Sequence, residues 1–182
     1  MPVSKNKKIA VKKICVIAML LALTVVLSWI SGYLRVGTFT KISISFISVY
    51  LSAVLYGPLA GCFVGVSADI ISCIVVSLGT PIWEITLLEG FFGLLFGFVF
   101  YRGGTFVKNI YLRVVLCSLI RFIADVFIKT KVLSSYGFAP ENFNVALATR
   151  GAGCIIMFVL TTAVLYVFEK FYTEKFIKMV NN

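Results

Sequence analysis

At 182 residues, 60% of them hydrophobic and only 13% charged, the chain has a mean hydropathy of +1.05, which excludes an ordinary soluble domain and marks an integral membrane protein. Its 17 basic and 7 acidic residues leave a net charge of +10; the basic residues are divided between both ends of the apolar runs, which excludes a nucleic-acid surface and suits anchoring to anionic membrane lipid. Histidine is absent, so the commonest general base and metal ligand are missing, and no catalytic residue, metal site or cofactor is expected.

Residues 1–13 form a basic segment carrying Lys5, Lys7, Lys8, Lys12 and Lys13, followed by an uncharged run at 14–34. More apolar runs follow and no small-residue cleavage site intervenes, so this run is read as helix one and not as a removable signal peptide. Residues 42–56 predict a short second helix with Ser45, Ser48 and Ser52 at helical spacing, a stripe suited to hydrogen bonds between helices. Gly57-Pro58 allows only a tight turn before helix three at 58–78; helices four, five and six follow at 83–101, 110–133 and 143–168, and a short tail at 170–182 closes the chain. No linker or shift in composition divides them. The expected fold is an all-α integral membrane protein, six transmembrane helices in one compact bundle, with residues 1–182 as a single domain. The five cysteines lie in apolar runs without CxxC spacing and read as small core residues.

The basic residues also predict orientation. Eleven of them, the five before helix one, then Arg102, Lys108, Arg113, Lys170, Lys175 and Lys178, fall on one side; Arg35, Lys41, Lys129, Lys131 and Arg150 fall on the other. Both termini, including the segments 1–13 and 170–182, are therefore expected in the cytoplasm.

Against this apolar background, charges inside helices stand out, because each is costly in a bilayer unless it faces protein or a cavity. Gly57, Gly61 and Gly65 recur every four residues, and the same spacing reaches Asp69, so one face of helix three is smooth and then acidic. Asp69 fits a packing face with a bonded carboxylate as well as a site. Glu89 is in register with Gly93 and Gly97 on helix four, and Arg121, Asp125 and Lys129 make a plus, minus, plus stripe at four-residue spacing on helix five. That stripe is either scaffold or ligand site, with Arg121 the deeper, structural partner of Asp125. Trp83, Glu84, Lys129 and Arg150 fall at outer helix ends, with Arg35, Phe39 and Lys41 in the first outer loop. The charged set describes a cup open to the outside, above an inner half of sealed apolar packing. Substrate-binding candidates are Arg35, Phe39, Lys41, Trp83, Glu84, Glu89, Asp125, Lys129 and Arg150: the cations for carboxylates, the rings for a flat heterocycle, the acids for ring amino groups.

Three classes compete. An enzyme lacks H-E-x-x-H, G-x-S-x-G and any paired-aspartate motif, and a self-contained secondary transporter would show a polar path or repeats with broken helices. A substrate-capturing subunit energised by other proteins fits the one-sided site, and no GxxxxGK[ST] supplies ATP hydrolysis in cis. The run LRVGTFTKISISFISVYLSAVLYGPLAGCFVGVSADIISCIV at 34–75, with Arg35 and Gly37 ahead of Lys41-Ile42-Ser43, the Leu55-Tyr56-Gly57-Pro58 turn, and Gly65 with Ala68-Asp69, resembles the substrate-binding S components of energy-coupling factor (ECF) vitamin transporters, most of all the folate family. FFGLLFGFVFYR at 91–102 extends the likeness. It departs from the folate pattern at GTPIWEITL, residues 79–87, which replaces aromatics and adds Glu84, and at ADVFIKTKVL, residues 124–133, where an Asn-Thr-x-Trp-Leu run is usual. The resemblance implies a high-affinity vitamin-binding subunit of the bacterial cell membrane, for folate or a folate-like compound, another vitamin or a precursor remaining open. Its implied partners are a transmembrane coupling protein and two cytoplasmic ATPases, contacted through an A-x-x-x-A motif that Ala18 and Ala22 match.

Overall fold

The structure is a computed structural model that describes residues 5–36, 40–75, 82–101, 109–137, 139–140 and 142–171, the side chains of 5–10, 35, 36, 40, 41, 75 and 171 excepted. Helix α1 (Lys5–Tyr33) leads into a two-residue antiparallel ladder, β1 (Arg35–Val36) against β2 (Thr40–Lys41), with Arg35 opposite Lys41. Then come α2 (Phe46–Tyr56), α3 (Pro58–Val75), α4 (Trp83–Phe100) and α5 (Ile110–Ile123), which continues without a break through a π-helical segment (Ala124–Lys129) into α6 (Thr130–Ser135) before α7 (Phe143–Phe171). Counting α5 to α6 as one path, the described residues form six helical spans. Val11–Tyr33, Trp83–Phe100 and Phe143–Lys170 are long and apolar enough to cross a membrane; Phe46–Tyr56 and Pro58–Ile74 are shorter apolar helices.

Two helix boundaries differ from those read in the sequence. Helix one starts earlier than residue 14, since α1 already begins at Lys5. The second helix begins at Phe46 rather than at 42, because the backbone before it is claimed by the end of α1 and the residue after it: Ile42 N–H donates to the Leu34 carbonyl (2.7 Å) and Ile44 N–H to Ser31 Oγ (3.0 Å). That tether also supports the short ladder, a non-helical feature absent from the all-α expectation. The π-helical segment within helix five was not expected either.

Gly57 closes α2 at φ +97°, a region that penalises a side chain, and Pro58 takes the first position of α3, where its missing N–H costs nothing. From there α3 and α4 run backbone to backbone. A Cβ on Gly61 would lie 2.6 Å from both Ala53 Cβ and the Gly93 carbonyl, one on Gly65 would lie 2.7 Å from the Glu89 carbonyl, and ones on Gly93 and Gly97 would collide with Gly61 and Pro58. The smooth face of α3 thereby seats the helix that carries Glu89.

The core gathers Tyr50, Val64, Phe92, Phe96, Phe100, Val114, Cys117 and Leu165, with Tyr50 meeting Phe96 and Phe100 edge-on at 5.8 and 5.2 Å. At the end of the bundle where α4 stops and α5 starts, packing is not purely apolar as the sequence suggested. Arg113, counted above among the basic residues of one side, is buried and pairs with Glu169 at 3.1 Å, and Tyr50 Oη donates to Glu169 Oε2 at 3.0 Å.

Candidate substrate-binding site

At the opposite end, four charged side chains from two helical paths converge. Glu89 on α4 accepts a hydrogen bond from Lys129 Nζ at 3.0 Å and faces Arg121 at 3.9 Å; Asp125 faces Arg121 at 3.8 Å and Lys129 at 3.6 Å. The wider turn of the π segment helps set this geometry, since i→i+5 bonding alters which side chains share a face and such segments recur at functional sites. Thr130 Oγ1 donates to the Asp125 carbonyl five residues back, at 3.3 Å. Arg121, only 3% exposed, lies against the rings of Phe46 and Phe92 at 5.1 and 4.8 Å, so its charge is held by two carboxylates and two ring faces.

The network is incompletely bonded. Lys129 to Glu89 is its one contact at hydrogen-bond distance among the described residues; Arg121 Nε and Asp125 Oδ1 have no hydrogen-bond partner. Arg150 on α7, 4% exposed, lies within electrostatic reach of Asp125 and Cys154, yet its Nε and Nη1 lack a partner too. Two carboxylates thus face three cations in a buried space, where an unmet polar group costs about 1–3 kcal/mol and more when charged. A narrow crevice of about 10 Å³, room for little more than one water-sized group, lies between α5 and α7, lined by Arg121, Asp125, Cys154, Met157, Phe158 and Thr161. Its polar donors and acceptors can receive an anionic or hydrogen-bonding group; the described residues hold no cluster of metal-ligating type.

The other sequence candidates fall elsewhere. Glu84, one and a half turns before Glu89, accepts from Tyr136 Oη at 3.1 and 3.2 Å, tying the start of α4 to the end of α6; this bond raises the Tyr136 phenol above its ordinary pKa. Trp83 is exposed and outside the network. Asp69 accepts from the buried Thr86 hydroxyl at 2.6 Å, a bond between α3 and α4. Phe39 lies outside the described residues, as do the side chains of Arg35 and Lys41, whose backbones form the ladder. Ala18 and Ala22 are exposed on α1. Sequence reasoning missed Phe46, Phe92, Thr86 and Tyr136, whose roles arise from contacts between helices, and Glu169, whose one visible signal is an acid alone near the end of a long apolar helix.

No curated protein sequence matches the chain significantly. Among solved structures, the crystal structure of FolT bound with folic acid superimposes with a TM-score of 0.75 at 23% identity, covering 90% of this chain and 97% of that one; this likeness establishes the fold. The profile of the family described as ECF transporter, substrate-specific component matches residues 12–181, and the chain belongs to that family.

Proposed function

We propose that this protein is the vitamin-binding membrane subunit of an ECF-type importer, taking folate or a folate-like compound from outside the cell. Both termini face the cytoplasm of a bacterial plasma membrane, and delivery is driven by two partner ATPases acting through a transmembrane coupling protein. The observation that carries the reading is the set of buried atoms without a hydrogen-bond partner among the described residues, Arg121 Nε, Asp125 Oδ1 and Arg150 Nε and Nη1. A ligand carboxylate would supply the missing negative charge, Glu89 and Asp125 would accept from ring amino groups, and Lys129 would be shared between network and ligand. Arg35, Phe39, Lys41 and Trp83 are assigned to the rim, the cations to attract the ligand and the rings to cover it. Family membership and the FolT-like fold support this reading. Glu84 favours a second reading, since a carboxylate at the rim repels an acidic ligand: a less acidic vitamin precursor.

Small-molecule mass spectrometry of the detergent-purified full chain, followed by calorimetric titration with folic acid, tests the proposal. Folate should co-purify or bind, and Arg150→Gln should weaken it at least about tenfold, roughly 1.4 kcal/mol. Co-purification of a different heterocycle with no folic acid binding would transfer the site to the precursor reading.

A further inference from the structure

Within α7, Thr161 departs from its neighbours. Thr149 and Thr162 each donate to a carbonyl three or four residues back on their own helix, at 2.8 to 3.0 Å, the local bond by which a helical threonine ordinarily satisfies its hydroxyl. Thr161 does not: it is 2% exposed, and its Oγ1 has no hydrogen-bond partner among the described residues. It lines the narrow crevice between α5 and α7 instead.

From α5, Arg121 and Ser118 line the same crevice. Arg121 Nε is likewise buried and without a hydrogen-bond partner among the described residues, and its side chain faces Glu89 and Asp125 only at 3.9 and 3.8 Å. Ser118 Oγ donates to the Val115 carbonyl at 3.1 Å, which leaves its oxygen able to accept. Two helices thus bring a buried N–H, a buried hydroxyl and an accepting oxygen to one small space. Size and charge then select its occupant. A space of about 10 Å³ is close to the minimum for a single water, which needs two to four polar partners; a ring or a carboxylate does not fit. A cation would meet the Arg121 guanidinium and a halide the Asp125 carboxylate, which lines the same crevice, whereas water both accepts and donates.

We propose that the crevice binds one water, which accepts from Arg121 Nε, bonds to Thr161 Oγ1 and donates to Ser118 Oγ, and that Thr161 is through it a positioning residue of the charge network. The water ties α7 to α5 and fixes the guanidinium from which Arg121 faces Glu89 and Asp125. It leaves Asp125 Oδ1 and Arg150 to a ligand, so its effect on ligand binding rests on the function proposed above; the water itself does not.

Crystals of the full chain grown without added ligand, diffracting to about 2 Å, test the water directly. The wild type and Thr161→Ser should show an ordered water within about 3.2 Å of the hydroxyl at position 161 and of Arg121 Nε. Thr161→Val, which keeps the shape and removes the hydroxyl, should show none. In calorimetric titration Thr161→Val should bind folic acid about tenfold more weakly than the wild type and Thr161→Ser within about twofold, a rescue that follows the hydroxyl and not the packing. If Thr161→Val does not fold, the wild-type and Thr161→Ser densities decide. A wild-type crevice without a water peak overturns the proposal, as does a water that persists in Thr161→Val, an anomalous peak in the crevice after a bromide soak, or measurable and equal folic acid affinity in all three proteins. No folic acid binding by the wild type would count against the ligand proposed above, and the density would still decide the water.

Discussion

Arg121 and Asp125 carry opposite burdens in the network, and their substitutions separate scaffold from site. Arg121 faces two carboxylates and two aromatic rings, so removing its charge leaves Glu89 and Asp125 without the cation that lies between them. Breaking a buried pair in this way costs about 3–5 kcal/mol, and Arg121→Met should abolish folded protein in a thermal melt or size-exclusion profile. Asp125→Asn is gentler: it keeps the shape, and Arg121 and Lys129 retain Glu89. This variant should melt near the wild type while binding ligand about tenfold more weakly, a loss near 1.4 kcal/mol. Unfolding without a specific binding defect would make Asp125 scaffold. The stripe of Arg121, Asp125 and Lys129 was legible because four-residue spacing is written in the sequence. Its link to Glu89 was not, since helix packing alone decides which apolar face meets which. Arg113 and Glu169 were illegible for the same reason: 56 residues apart in sequence, they meet only once α5 lies on α7.

Among elements, the α3–α4 pair is the best determined. Its glycine spacing was legible, and the structure gives it a cause: Gly61, Gly65, Gly93 and Gly97 remove every side chain from a line where two backbones touch. In a membrane, such contact relies on packing rather than on burial from water, so a single methyl group must open the pair. Gly93→Ala should lower stability by about 1–3 kcal/mol and, by displacing α4, loosen Glu89 from Lys129. Gly32→Ala in α1 is the control; its Cβ meets nothing within 4 Å, and alanine in a helix is favoured by roughly 0.5–1 kcal/mol. Equal behaviour of the two variants in a thermal melt would remove the close-contact account. The start of α2 and the π segment were not legible. Residues 42–45 read as helix in the sequence, but Ile42 N–H is taken by the Leu34 carbonyl just past α1 and Ile44 N–H by Ser31 Oγ on α1, and no residue type in Ala124–Lys129 marks a wider turn; the Thr130 hydroxyl on the Asp125 carbonyl is its visible trace.

At the scale of the whole molecule, polar groups are placed at two ends and joined by an aromatic core. Glu89, Arg121, Asp125, Lys129 and Arg150 form one end; Tyr50, Arg113 and Glu169 close the other, with Phe92, Phe96 and Phe100 between them. The second end is an ion pair closed off by apolar and aromatic side chains, so the described residues offer a bound solute no continuous polar route between the two. Moving a solute across therefore requires the bundle itself to be moved, and on the proposed reading that work comes from the partner ATPases. Ala18 and Ala22 are exposed one turn apart on α1, where small side chains permit close approach of a partner helix. The charge network lies on α4, α5, its π continuation and α7, so a bulky residue on the outer face of α1 leaves it intact. Ala18→Trp or Ala22→Trp should keep ligand affinity of the isolated subunit within about threefold, under roughly 0.7 kcal/mol, while abolishing both vitamin uptake by cells and co-purification of the ATPases. Uptake by the unmodified chain alone in liposomes, without ATP or another protein, would overturn the partner requirement and identify a self-contained carrier.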